Sequence, residues 1–273
     1  MKFLNKEVAF ALEADNLSAD FRPLIELPLV IMVGLTGVGK STVLELLPEQ
    51  GLKFTLLPNR RDITDQIIIA SLQAEAGQPV GPVTDRLERF EYTARYRDKF
   101  PGGMAHALSR LVINSAAAQS LLIFDGLRGL NEVQHAVAYF PLARFVVLDA
   151  PDTVRLTRLL NRGDVFDVTS SKIQADLPAS QDLIAALQDV PHVDVIFNEE
   201  NLRQIAAGAR LAQIPADEVV QKIAIIVKER RNYDSSTARV HLTHTLPPQQ
   251  VLVVDTASHP ARVVAEKIAH WLE

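Results

Sequence analysis

The feature that most constrains this chain is the run GLTGVGKS at residues 34–41, which fits the pattern G-x-x-x-x-G-K-[ST]. It follows an apolar run at residues 29–33 and precedes a helical pattern at residues 41–47, so it lies where a buried strand passes into a helix. Glycines let such a backbone wrap so that successive N–H groups point inward at an anion, and the positive end of the following helix adds to the field. The pattern therefore predicts a phosphate-binding loop, and the alternative is a chance glycine-rich turn.

Two side chains at the end of this glycine-rich loop carry the predicted chemistry. Lys40 supplies a movable positive charge for the β- and γ-phosphates of a nucleotide, and the Ser41 hydroxyl completes the coordination shell of Mg²⁺. The predicted cofactors are therefore ATP and Mg²⁺. The residues predicted to bind the nucleotide phosphates are Gly34, Leu35, Thr36, Gly37, Val38, Gly39, Lys40, Ser41 and Thr42.

The rest of the chain alternates short apolar runs with helical patterns, which is typical of an α/β fold around a parallel sheet. The predicted strands are residues 29–33, 54–57, 121–124, 144–148 and 251–255. Helices are predicted over residues 61–73, 87–101, 105–118, 131–138, 151–161 and 260–271, while residues 239–245 alternate like an exposed strand or loop. In that last segment, His241 and His244 are more typical of surface residues than of metal ligands.

The pattern loosens after residue 162 and becomes helical again around residues 183–187, 202–211 and 216–226. We therefore predict a core of residues 1–162 plus 237–273, interrupted by a helical insertion at residues 163–236. The core and its helices are expected to pack as one layered α/β domain. The insertion is either a lid that returns an arginine of residues 228–231 to the site or a surface for a protein partner.

Composition excludes several classes of protein. The chain has 273 residues, is 48% hydrophobic and 22% charged, and carries a formal net charge of −5, so neither disorder nor general nucleic-acid binding is expected. The absence of cysteine excludes disulfides, thiolate chemistry and cysteine zinc sites. Acidic residues interrupt the first apolar stretch, so no signal peptide, membrane span or membrane partner is expected, and the predicted location is the cytoplasm.

Asp125 follows the predicted strand at residues 121–124, which places a carboxylate at the edge of the sheet where parallel α/β proteins bind ligands. It is predicted to be a water-mediated Mg²⁺ ligand, and the alternative is an Asp that caps the following turn. The next residue is Gly126, where ATPases that drive machines usually have a glutamate to orient water. The chain also lacks the Asn-Lys-x-Asp motif that reads guanine, so a Ras-like GTPase is disfavoured.

A phosphate site without that glutamate indicates transfer to a bound acceptor, and such transfer needs arginines to hold the acceptor and stabilise developing charge. Arg60 and Arg61 follow the second predicted strand and Arg128 follows Asp125, so these three are the predicted acceptor-binding residues. Arg158 and Arg162 lie four residues apart and share one face of a predicted helix. The alternative for each arginine is a solvated surface residue.

Four segments together resemble the nucleoside monophosphate kinase branch of P-loop proteins, with adenylate and thymidylate kinases and an archaeal adenylate-kinase-like family nearest. These segments are residues 34–42, 125–128, 158–162 and 254–260. The resemblance implies a three-layer α/β/α fold with a five-stranded parallel sheet in the order 2-3-1-4-5. The segment at residues 125–128 is one residue shorter than the adenylate kinase motif Asp-Gly-Phe-Pro-Arg, and the insertion is far longer than an ordinary lid.

The same resemblance implies roles for individual residues. Arg158 would lie against the donor adenine, Arg162 would contact the transferring phosphates, and the loop after residue 255, including Thr256, would border the donor base. The predicted catalytic residues are then Lys40, Asp125, Arg128 and Arg162.

Two readings of the function follow. The first is a kinase that moves the γ-phosphoryl group of MgATP to a nucleotide or another small-molecule acceptor, with Asp62 or Asp125 as the base if that acceptor is an alcohol. The alternative is a regulatory ATPase or nucleotide-dependent switch whose insertion binds a protein partner. A kinase acting on polynucleotide ends is disfavoured by the acidic charge balance.

Overall fold

The structure is a computed structural model that describes residues 2–10, 20–161 and 183–273. Its strands are β1 (Lys2–Phe3), β2 (Val8–Phe10), β3 (Phe21–Pro23), β4 (Leu29–Val33), β5 (Phe54–Leu56), β6 (Leu111–Asn114), β7 (Leu121–Leu127), β8 (Ala143–Asp149) and β9 (Val251–Asp255). The first six helices are α1 (Lys40–Leu46), α2 (Arg60–Ile63), α3 (Ala70–Glu75), α4 (Arg86–Lys99), α5 (Met104–Ser109) and α6 (Leu130–Tyr139). The others are α7 (Asp152–Leu160), α8 (Leu183–Gln188), α9 (Glu199–Leu211), α10 (Ala216–Asn232), α11 (Ser235–Thr245) and α12 (Ala261–Leu272). A π-helical turn, Thr64–Ile69, joins α2 to α3, and short 3-10 turns occupy Leu24–Glu26, Pro48–Gln50, Ala117–Gln119 and Val193–Val195.

Five strands form a parallel sheet in the order β5-β7-β4-β8-β9. Numbered along the chain, these strands lie in the order second, third, first, fourth, fifth. The α/β class and the five-stranded parallel sheet are as the sequence predicts. Because the strands are parallel, their carboxyl ends share one edge, and the glycine-rich loop leaves β4 at the centre of that edge.

The two faces of the sheet are both covered, which explains why its central strand is apolar throughout. All five residues of β4 are buried. Leu29, Ile31 and Val33 pack into one hydrophobic cluster with α5 and α6, while Val30 and Met32 pack into another with α1 and α12. The sheet therefore lies between two helical layers.

A second, antiparallel sheet was not predicted from the sequence. Its strands lie in the order β1-β2-β6-β3, so the segment near the amino terminus pairs with residues from the middle of the chain. The predicted helix over residues 105–118 is wrong beyond residue 109, because α5 ends there and β6 follows. The β-branched pair Val112 and Ile113 is buried between β2 and β3, and this pairing outweighs the local helical pattern.

The prediction of a strand or loop over residues 239–245 is also wrong, because these residues belong to α11. The side chain of Asp234 accepts a hydrogen bond from the Thr237 amide and caps the start of this helix. Ala238 and Leu242 are fully buried four residues apart, which is the helical period. His241 and His244 lie on this helix, and no group of three or more potential metal ligands occurs among residues 2–10, 20–161 and 183–273.

The described part of the predicted insertion has a hydrophobic cluster of its own. It joins α7 to α8, α9 and α10 through residues such as Leu159, Leu187, Leu202 and Ile223. The predicted boundary between residues 236 and 237 falls inside α11, which packs against α6 and β9. The division into core and insertion remains a prediction. No helix in the described ranges has the length and apolar character needed to cross a bilayer.

Candidate functional site

The glycine-rich loop takes a conformation that only glycine adopts easily at several positions. Gly34, Gly37 and Gly39 have φ angles of 155°, 84° and 96°. At Gly34 the backbone runs so close to β8 that a Cβ atom would lie 2.5 Å from the Leu148 carbonyl oxygen. The tight wrap after β4 therefore depends on the absence of a side chain at this position.

Lys40 curls back over the loop that precedes it. Its Nζ donates hydrogen bonds to the carbonyl oxygens of Gly34 at 2.8 Å and Leu35 at 3.1 Å, and lies 3.8 Å from Asp125 Oδ1. Burial lowers the pKa of Lys40, against the opposing effect of the Asp125 charge. The ammonium group is thus held at the mouth of the loop with a carboxylate beside it.

The Asp125 carboxylate has an oxygen that fits a role in metal binding. Its Oδ1 is buried and has no hydrogen-bond partner among the described residues. Lys40 Nζ, at 3.8 Å, is too far to donate a hydrogen bond to this oxygen. A buried carboxylate oxygen without a hydrogen bond is costly unless a closer cation or an ordered water satisfies it, and oxygen atoms are the ligands that Mg²⁺ prefers. Ser41 is exposed and lines the same cleft, so the oxygen donors expected of a magnesium site are present.

Strand β7 runs on past Asp125 to Leu127, further than predicted. Gly126 is therefore part of the strand, and a Cβ atom there would lie 2.8 Å from both Arg60 Cβ and the ring of Phe124. There is no room at this position for the glutamate of a hydrolytic ATPase.

A fully buried glutamate of α10, Glu229, contacts the loop, and no local sequence pattern indicated it. The Thr36 amide donates to both of its oxygens at 3.1 Å, and the Thr36 hydroxyl donates to Oε1 at 2.8 Å. Arg128 Nη1 lies 2.9 Å from Oε1, and Arg155 forms a close ion pair with Oε2. Within residues 228–231, it is therefore Glu229 that reaches the loop. Arg230 pairs with Asp152 instead.

The charge of Glu229 is strongly stabilised. Burial by itself would raise the pKa of this carboxyl, but the charges of Arg128, Arg155 and Arg86 and the hydrogen bond from Thr36 outweigh burial and hold it far below its ordinary value. Glu229 is therefore ionised and fully hydrogen-bonded, and it is poorly suited to accept a proton.

Arg155 and Arg86 also hold Thr36. The side chain of Arg155 is fully buried, and its Nε donates to the Thr36 carbonyl oxygen at 2.7 Å. Arg86 Nη2 donates to the Thr36 hydroxyl at 2.9 Å. Together with Glu229, these arginines engage every polar group of one loop residue.

Arg158 and Thr256 support the opposite side of the loop. Arg158 donates to the Gly37 carbonyl at 3.2 Å and to the hydroxyl and carbonyl oxygens of Thr256 at 2.9 and 2.7 Å. The Thr256 hydroxyl in turn donates to the Val38 carbonyl oxygen at 2.8 Å. The structure thus brings both predicted residues to the loop, where both line the cleft described below.

Arg60 is buried in a network that the sequence did not reveal. Its guanidinium makes two hydrogen bonds to Glu132, at 2.9 and 2.7 Å, and also donates to the Gly126 carbonyl and the Tyr233 hydroxyl at 2.6 and 2.8 Å. Burial lowers the pKa of Arg60, but Glu132 and Tyr233 outweigh it and raise the pKa above its ordinary value. These contacts hold the guanidinium within the protein, which differs from the predicted picture of an arginine reaching for an acceptor.

Arg128 lies beside this network. Its amide donates to Glu132 at 2.9 Å, and its guanidinium lies 5.5 Å from the centre of the Tyr233 ring. Glu132 and Tyr233, like Glu229, are site residues that no motif indicated. Arg162 lies outside the described residues, so its predicted role remains a prediction.

These groups surround one cleft of about 760 Å³. Its floor is the glycine-rich loop from Thr36 to Thr42. On the β8 and β9 side the wall includes Arg158, Asn161, Thr256, His259, Ala261 and Val264. On the β7 and β5 side it includes Arg60, Arg61, Thr64, Arg86, Arg89, Phe90, Thr93, Asp125, Arg128 and Tyr233.

Comparisons with known proteins do not identify a family. No protein-family model matches the chain, and no curated protein matches it significantly. Among solved structures, the chain is similar to the unliganded crystal structure of a sugar kinase from Janibacter sp. HTCC2649, with 17% identity over 90% of this chain and 94% of that chain and a TM-score of 0.36. A TM-score this low does not bear on the function of this chain.

Proposed function

We propose that this protein is a P-loop phosphotransferase that moves the γ-phosphoryl group of MgATP to a nucleotide or other small-molecule acceptor. The observation that carries the proposal is the geometry of the glycine-rich loop, with Lys40 over its mouth and, beside it, an Asp125 oxygen that accepts no hydrogen bond from the described residues. A loop of this sequence and shape at the carboxyl edge of a parallel sheet is typical of a triphosphate site.

The residues on either side of the loop suggest how donor and acceptor are arranged. Lys40 would contact the β- and γ-phosphates, and Ser41 and Asp125 would hold Mg²⁺, which when bound supplies positive charge to the phosphate oxygens. The wall with Arg158 and Thr256 would bind the donor base.

The wall beside β7 and β5 would bind the acceptor. It presents Arg61, Arg86, Arg89 and Arg128 to the cleft, a set that suits an anionic acceptor. Arg60 would act indirectly here, because its pairing with Glu132 fixes the position of the loop that carries Arg128. Arg128 is then the arginine best placed to bridge acceptor and transferring group.

The site is organised for transfer more than for hydrolysis. The packing around Gly126 leaves no room for a glutamate that would orient water. Glu229 is already hydrogen-bonded to Thr36 and paired with two arginines. A phosphate acceptor is already ionised and needs no base. If the acceptor is an alcohol, Asp125 is the better placed of the two predicted bases, because Asp62 pairs with the Asn59 amide and is not among the described residues that line the cleft.

Titration calorimetry with MgATP and a Lys40→Ala variant tests the proposal. Loss of charged hydrogen bonds to phosphate should weaken MgATP binding by about ten- to hundredfold. Lys99→Ala is the matched control, since Lys99 pairs with Glu75 on the surface, and it should bind as wild type does. Absence of MgATP binding by the wild type would refute the proposal, and a coupled screen of acceptors for ADP release would separate transfer from hydrolysis.

A nucleotide-dependent switch remains the second candidate, and one observation favours it. Glu229 and Tyr233, from α10 and the residue after it, contact the loop and Arg60, so a change at the phosphates could reach the helical segment and a protein bound to it. Partner capture with and without MgATP, in the wild type and in Lys40→Ala, tests this. A set of partners that does not change with nucleotide would remove the switch.

A further inference from the structure

Thr36 is the loop residue whose contacts are most unusual. In a phosphate-binding loop, successive amides point toward the anion. Here the Thr36 amide instead donates to both oxygens of Glu229, 193 residues further along the chain. Thr36 lines the cleft, whereas Glu229 has no exposed surface and is not among the described residues that line it. The Glu229 carboxylate therefore lies behind the loop and does not occupy the cleft.

Arg128 has the same support. It lines the cleft, its guanidinium is paired with Glu229, and it packs near the ring of Tyr233, four residues beyond Glu229. The end of α10 and the residue after it thus hold both the loop backbone at Thr36 and the side chain of Arg128, which lines the cleft above the loop.

We propose that Glu229 is a positioning residue: it fixes the loop backbone at Thr36 and the guanidinium of Arg128, so that the rest of the loop and Arg128 are placed to recognise the terminal phosphate of the nucleotide. This inference rests on the proposed function and adds a residue to it. Without Glu229, Arg128 and Arg155 would lose a shared counter-charge and repel each other, and Thr36 would lose the acceptor that fixes its amide and hydroxyl. If the proposal holds, recognition of the terminal phosphate depends on a residue of α10, a helix that belongs neither to the parallel sheet nor to the loop.

The direction in which triphosphate affinity changes when Glu229 is neutralised distinguishes a positioning role from a purely electrostatic one. If Glu229 acted only through its negative charge, neutralising it would strengthen binding of the more anionic triphosphate. A positioning role predicts the opposite, because the added positive charge is no longer held where the terminal phosphate needs it.

The experiment compares the affinities of Mg-AMP-PNP and MgADP, measured by titration calorimetry, in Glu229→Gln and wild type. We expect the preference for the triphosphate to fall by about tenfold or more, while MgADP binding changes by less than about threefold. Asp152→Asn is the matched control, because Asp152 also pairs with Arg155 but its described hydrogen bonds and ion pairs do not include Thr36 or Arg128. It should keep the wild-type preference.

The outcomes are distinct. A preference in Glu229→Gln that equals or exceeds that of wild type overturns the inference, and so does an equal loss in Asp152→Asn. Wild-type protein that binds neither nucleotide would instead overturn the proposed function. If circular dichroism shows that Glu229→Gln does not fold, Glu229→Asp decides, since it keeps the charge but withdraws the carboxylate from Thr36. A reduced triphosphate preference in that variant supports the inference, and an unchanged one refutes it.

Discussion

At the scale of single residues, the packing around Gly126 is a tight constraint next to Asp125. Gly126 lies between the Arg60 side chain and the Phe124 ring, so a methyl group here would have to displace one of them. Both neighbours are themselves buried, which leaves little space for relaxation. Packing therefore favours glycine at position 126, directly after Asp125, where a hydrolytic ATPase usually has a glutamate.

We predict that Gly126→Ala lowers the free energy of unfolding by about 1–3 kcal/mol, the usual cost of overpacking a core. Urea denaturation would measure it. Gly208→Ala is the matched control, because Gly208 lies in α9 with no atom within 4 Å of its would-be Cβ. That variant should gain about 0.5–1 kcal/mol from helix propensity. Equal effects at the two positions would contradict the packing argument.

Local patterns locate residues that act within a few positions of one another. The glycine-rich loop and Asp125 were predicted from such patterns, and the structure brings them together within one cleft. Glu132, Glu229 and Tyr233 were missed because their contacts with Arg60 and Thr36 span 72 to 193 residues of the chain. In a sequence, a single glutamate within a helical pattern cannot be distinguished from a solvent-exposed glutamate, and only the tertiary contacts show that it is buried.

At the scale of elements, the pair formed by Arg60 and Glu132 joins α2 to α6 beside the cleft. Both side chains are almost fully buried, with relative exposures of 9% and 4%. Breaking a buried ion pair by removing one partner is far more costly than replacing both, because one charge is left without a counter-ion.

Glu132→Gln should therefore lower the free energy of unfolding by about 3–5 kcal/mol. The double variant Arg60→Met, Glu132→Leu should recover part of this loss. Glu199→Gln is the surface control, since Glu199 pairs with Arg203 in solvent, and it should cost about 0.5 kcal/mol or less. A Glu132→Gln variant as stable as the surface control would show that the buried pair contributes little.

The elements that were mispredicted share a cause. Residues 111–114 continue a helical pattern, but their β-branched side chains are buried between β2 and β3, two strands that the sequence did not indicate. Residues 239–245 alternate in polarity, yet Asp234 provides a helix cap and two buried residues four apart fix the helix. In both cases contacts distant in sequence outweighed a weak local preference.

At the scale of the whole molecule, two hydrophobic clusters cover the parallel sheet and a third joins α7 to α8, α9 and α10. Glu229 is a polar connection between these parts, because it belongs to α10 and pairs with Arg128 after β7 and Arg155 of α7. The stability of the assembled chain should thus depend on the ionisation of this carboxyl.

The direction of that dependence follows from linkage. The pKa of Glu229 is far below its ordinary value of 4.5, so below pH 4.5 the unfolded chain binds a proton that the folded chain does not. The stabilisation is complete above that pH and is lost as the pH falls toward the lowered pKa, with a slope of about 1.4 kcal/mol per pH unit.

Denaturation of wild type and Glu229→Gln between pH 6 and pH 3 measures this contribution. The variant should be less stable than wild type at pH 6, and the difference between them should shrink below pH 4.5. Other carboxyl groups titrate in both proteins and cancel in the comparison. A constant difference over the whole range would mean that folding does not shift the pKa of Glu229.

The lengths of the outermost strands have a consequence for the behaviour of the chain in concentrated solution. β1 has two residues, and β3 and β5 have three each, so three of the four sheet borders in the described ranges offer few open backbone groups. Edge strands this short offer another molecule few backbone groups to pair with, so two chains that meet there associate only weakly. The architecture thereby discourages strand exchange between neighbouring copies of the chain.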